Sequence, residues 1–84
     1  NDDSMNSKGI LKGDLVLARR QHTAKKGEIL VIAIKNEILI RQYDMKGYNV
    51  ILSSDNKKFD ILKIKRNSPD LQIIGKVIGV MRKY

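Results

Sequence analysis

Hydroxyls, carboxylates, permanent cations and amines are the groups with which this chain could do chemistry. Ser4 stands close to the start, in the step Asp3-Ser4-Met5. A serine hydroxyl is a weak nucleophile and needs a base beside it. Arg41 lies in Glu37-Ile38-Leu39-Ile40-Arg41-Gln42-Tyr43. A guanidinium keeps its proton in proteins, so it can hold charge and donate hydrogen bonds but cannot act as that base. Lys8 and Lys12 are near Ser4 in sequence, and Lys35 sits in an expected turn. Lysines are seldom fully buried, so all three read as solvated. His22 is the only histidine. It lies in Gln21-His22-Thr23-Ala24 with no acidic neighbour to complete a triad, and it reads as exposed. A lone serine near a terminus is ordinarily a polar loop residue, so Ser4 gains meaning only from its surroundings.

Those surroundings read as β throughout. Leu15–Ala18 is a short apolar run after Gly13-Asp14. Glu28–Ile34 is rich in β-branched residues and is expected to be buried on both faces. Lys35-Asn36 is a two-residue break that predicts a tight hairpin into Glu37–Tyr43. Lys46-Gly47 marks the next turn, into Tyr48–Leu52. Ser53–Lys58 is polar, and Phe59–Lys65 predicts a further strand. Asn67-Ser68-Pro69-Asp70 holds the single proline and is a strong breaker. Leu71–Met81 predicts a long closing strand, in which Gly75 and Gly79 suggest a bulge or bend. Six short strands bounded by turn residues predict an all-β domain, a sheet or a small partly open barrel. Side chains alternate along a strand, so Glu37 and Arg41 share a face, roughly 13 Å apart.

Composition sets the outer limits. Eighty-four residues make one small domain, 1–84. A chain of this size buries only about 60% of its unfolded surface, which leaves stability marginal unless a partner covers more. A hydrophobic content of 42% suits a folded core. The lack of cysteine rules out disulfides and thiolate metal sites, and fits a cytoplasmic protein. No run approaches the roughly 20 apolar residues of a membrane span. No secretory signal is visible, and without an initial Met the chain reads as a fragment. The net charge of +8 invites a nucleic-acid reading. The basic residues are scattered, however, and broken by Asp14, Glu28, Glu37, Asp44, Asp55, Asp60 and Asp70. The four aromatics, Tyr43, Tyr48, Phe59 and Tyr84, form no stacking platform.

The register as a whole is distinctive. Asp3-Ser4-Met5 precedes Gly9-Ile10-Leu11-Lys12-Gly13-Asp14, then a strand, then Lys26-Gly27-Glu28 opening a second strand. A hairpin then carries Glu37 and Arg41, and the chain closes with Gly75-Lys76-Val77-Ile78-Gly79-Val80-Met81-Arg82-Lys83-Tyr84. This order resembles the C-terminal domain of LexA-type and phage repressors, self-cleaving serine–lysine peptidases of the S24 family. The resemblance covers essentially all residues and implies the LexA/signal-peptidase-like β fold. It implies Ser4 as the nucleophile position and Arg41 at the position of the base lysine. It further implies backbone N–H groups at Asp3 and Ser4 as the oxyanion donors. In the family the lysine is desolvated until it is neutral, takes the serine proton, and an Ala-Gly or similar bond upstream is cut. No cofactor or metal is implied.

Three departures follow. Arg41 replaces the lysine, which points to a peptidase fold with its base disabled. Asp2 stands where the family usually has Gly. The chain begins just before Ser4, so the family's cleavage segment and earlier strands would lie upstream. An acidic residue such as Asp2 or Asp3 is expected to meet Arg41 in a structural ion pair. Three readings result. The first is a dimerisation domain of a repressor whose DNA contacts come from an absent helix-turn-helix domain, with, as the resemblance implies, an activated recombinase filament on single-stranded DNA as the trigger. The second is a competent peptidase in which Arg41 is engineered or tolerated, and the third is a small basic β-domain that binds nucleic acid itself. The closing strand is long and apolar, and such a strand must be paired. Ile74, Val77 and Val80 are the expected contacts of a homodimer or of the core beneath it.

Overall fold

The structure is a computed structural model and describes residues 15–54 and 61–81. Among these residues there are six strands: β1 (Leu15–Arg20), β2 (Ile29–Ile34), β3 (Glu37–Lys46), β4 (Asn49–Ser53), β5 (Leu62–Lys65) and β6 (Leu71–Met81). They form one antiparallel sheet in the order β1-β6-β2-β3-β4-β5, not closed into a barrel. No helix occurs among the described residues. The all-β expectation holds, in its open form.

Local chemistry explains the hairpins. Lys35 and Asn36 have φ of 46° and 71° and join β2 to β3 with Ile34 opposite Glu37. Two left-handed residues make a type I′ turn, whose twist suits the flanking strands. Between β3 and β4, Lys46 faces Asn49, leaving Gly47-Tyr48 as the loop. Gly47 has φ of 61°, the first-position glycine of a type II′ turn.

The long β6 is an interior strand, which corrects the expectation that it is exposed and in need of a partner. Leu71–Lys76 pair with β2, and Gly75–Met81 pair with β1. Each register skips one residue, Ile74 against β2 and Ile78 against β1. The expected irregularity is therefore real, and each bulge directly precedes a glycine. At Gly75 a Cβ would lie 2.6 Å from the Arg19 carbonyl oxygen, so β1 docks there only because the side chain is absent.

Residues opposite one another in a ladder share a face. On one face Leu30, Ile32, Tyr43, Val50 and Leu52 form the core, with Ile34, Leu39, Met45, Leu62, Ile64, Leu71 and Ile73 packed against it. Arg66 N–H donates to Tyr48 O at 2.7 Å, holding the end of β5 at the β3–β4 turn. Five residues later the chain enters β6 beside Ile34, at the opposite end of β3. So short a connection requires the sheet to curl, and side chains of β4 and β5 pack with those of β2 and β3 in the core. The expectation that β2 is buried on both faces is corrected: Leu30 and Ile32 are wholly buried, whereas Ile29, Val31 and Ala33 are half-buried.

Candidate functional site

Arg41 belongs to the core face. It stands directly opposite Leu30 and is only 4% exposed. Its neighbours in alternation, Leu39 and Tyr43, point the same way. The Arg41 Nη1 group donates to the carbonyl oxygen of Ile40 at 2.8 Å, so the guanidinium folds back along its own strand. Burying this group carries a fixed positive charge into the core face. Glu37 lies on the same face, as expected, but is exposed at the turn end of β3.

Three ladders align a row across the sheet. Arg19 of β1 faces Lys76 of β6, Lys76 faces Leu30 of β2, and Leu30 faces Arg41. Three basic residues thus share one row, in strands about 4.8 Å apart. A carboxylate enters beside them. Gly27 N–H donates to Tyr43 O at 2.8 Å and Tyr43 N–H donates to Glu28 O at 2.9 Å. Gly27 and Glu28 therefore both oppose Tyr43, and Gly27 has φ of 89°. That is a glycine bulge, and it aims Glu28 across the core face. Glu28 Oε2 meets Lys76 Nζ at 3.0 Å. The Lys25 backbone N–H donates to the other carboxylate oxygen. These two contacts, the backbone one foremost, hold the Glu28 carboxyl below its usual range.

Sequence reading missed Lys76 and Glu28. No spacing motif links residues 28, 41 and 76; the β2–β3 and β2–β6 registers put Arg41 and Lys76 in one row, and the bulge at Gly27 sets Glu28 beside it. The row can bind and orient negative charge. It cannot deprotonate a hydroxyl through Arg41, and Lys76 Nζ is engaged by Glu28.

Ser4, the oxyanion positions Asp3 and Ser4, the anticipated ion-pair partners Asp2 and Asp3, and Lys8 and Lys12 lie outside the described residues. Lys35 and His22 are both exposed, as expected. Among the described residues no three His, Asp or Glu side chains converge as a metal site.

The comparisons with known proteins agree with this architecture. The Peptidase S24-like family matches residues 1–78. The LexA repressor of Clostridium novyi (strain NT) is 35% identical over 82 residues, which is 98% of this chain and 39% of that protein. The LexA repressor of Leptothrix cholodnii is 33% identical over 79 residues, 94% of this chain and 34% of that protein. The LexA repressor of Shewanella piezotolerans is 29% identical over 80 residues, with 95% and 39% covered. The chain thus spans about two fifths of the length of these relatives. With a family match over residues 1–78 and a relative 35% identical over 98% of the chain, this chain belongs to the S24-like peptidase family.

Proposed function

We propose that this chain is the C-terminal domain of a LexA-type transcriptional repressor in which peptidase chemistry has been lost and dimerisation remains. One observation carries the reading: a buried guanidinium occupies the β3 position that the family resemblance assigns to the base. A lysine buried there could lose its proton through desolvation and then accept one from Ser4. Arginine holds its charge under the same desolvation, so Ser4 would remain an ordinary hydroxyl. The surviving role would be to pair two copies, so that two upstream DNA-binding domains meet a two-fold operator. The face opposite Arg41 supports a contact of that kind. There Val77 and Val80 lie across from Ala18 and Val16, all apolar, and Val80 and Ala18 are exposed.

The test is self-cleavage of the full-length repressor, and cleavage in trans of a peptide carrying an Ala-Gly bond, at neutral and alkaline pH. The natural sequence is expected to be inert and Arg41→Lys to gain Ser4-dependent activity. Ser4-dependent turnover by the natural sequence would overturn the reading. An inert Arg41→Lys variant that stays folded would move the cause from Arg41 to Asp2 and the turn presenting Ser4.

A further inference from the structure

A trough of about 740 Å³ opens beside β5, the edge strand of the sheet. It is bordered by Ile34, by Pro69 and by all four residues of β5, Leu62–Lys65. Alternation lets a strand present only every second side chain to one face. A trough that touches four consecutive residues therefore runs along the edge of β5 and not only over its face. β5 is also the last strand in the order, with no further strand beside it among the described residues. Ile34, Leu62 and Ile64 make an apolar floor, continuous with the core. The charged residues at its border are Lys35, Lys63 and Lys65 against a lone acid, Asp70.

We propose that this trough binds an extended peptide segment, apolar at alternate positions and acidic at its ends, which adds a strand to the β5 edge. An exposed strand edge offers unpaired backbone donors and acceptors, and pockets beside it select alternate side chains. Charge selects among the occupants. A second copy of this chain would bring Lys63 and Lys65 against their own counterparts, and like charges across a ladder repel. Lysines on an edge strand suppress self-pairing for this reason. The same lysines attract carboxylates, so the edge closed to its own kind stays open to an acidic strand. The proposal does not depend on whether Ser4 is active, because the trough is built from β5, the β2–β3 turn and the β5–β6 connection.

The test uses the whole chain and a fluorescent hexapeptide of sequence Asp-Leu-Thr-Val-Thr-Glu, followed by anisotropy. Controls are a peptide with both ends changed to Lys and one with Pro at alternate positions. The acidic peptide is expected to bind at least about tenfold more tightly than either control, and to weaken as salt is raised. The double variant Lys63→Glu, Lys65→Glu changes exposed side chains and leaves the core intact. It should reverse the preference toward the Lys-ended peptide. Equal binding of all three peptides, or none, would overturn the proposal. So would undiminished acidic-peptide binding by the double variant, or sedimentation showing that the variant blocks a dimer formed through β5.

Discussion

The two ends of the sheet carry similar residues and bury them very differently. Among the described residues every buried apolar side chain, Leu30, Ile32, Tyr43, Val50 and Leu52, comes from β2, β3 or β4. At the other end β1 and the second half of β6 leave Leu15, Leu17, Ile78, Val80 and Met81 between 36% and 64% exposed. The difference is the opposing layer. Side chains of β4 and β5 pack against those of β2 and β3, and among the described residues no comparable element lies over β1. An apolar strand becomes core only when a second surface meets it. Arg41 sits on the covered side of this divide, whereas Lys76 lies at the seam where β6 changes partner from β2 to β1.

Truncation on either side of the divide should sharpen the contrast most. Leu30→Ala removes a wholly buried side chain and is expected to cost about 2–5 kcal/mol in urea unfolding. Leu17→Ala removes one already 46% exposed, and should cost under about 1 kcal/mol. Equal losses would show that β1 is covered in solution. The proposed dimer would cover the other face of β1, that of Val16 and Ala18, and Val77→Glu tests it directly. Placing a carboxylate in such a contact should cost about 2 kcal/mol, roughly thirtyfold in the dimer dissociation constant. Sedimentation should then give a dimeric natural chain and a folded, monomeric variant. A natural chain that is already monomeric at tens of micromolar would remove the dimer and leave this end simply exposed.

The smallest effect is expected at the seam. Glu28 has its pKa lowered in the fold, so its contribution to stability is present above its ordinary value of 4.5 and disappears as pH falls through the lower folded value. Glu28→Gln should therefore melt earlier than the natural chain at neutral pH, with the gap closing in acid. A gap that persists below the folded value would mean that the carboxyl acts through shape and not through charge.

Much of the architecture was legible along the chain. Lys35-Asn36 and Gly47 announced their turns, because few residues accept a left-handed backbone and the strands on either side alternate. Gly75 and Gly79 announced the irregularities of β6, since a glycine inside a strand usually marks a bulge or a close approach. The reading failed where burial depends on partners far away in sequence. Residues 28–34 looked doubly buried because their apolar content is continuous, yet only one of their faces meets the curled hairpin. The closing strand looked exposed because nothing local reveals that β1 and β2 flank it.

The candidate site divides in the same way. Sequence alone determined the chemistry that Arg41 can and cannot perform, because the affinity of a guanidinium for its proton exceeds anything burial can remove. Sequence order also carried the family, through residues spread over the whole chain. Only the tertiary structure decided that Arg41 is buried against Leu30, that Lys76 shares its row, and that Glu28 reaches Lys76. The physical reason is register. A shift of one residue between β2 and β6 would send Lys76 to the other face. That register carries a bulge at Ile74 and joins segments distant in the chain.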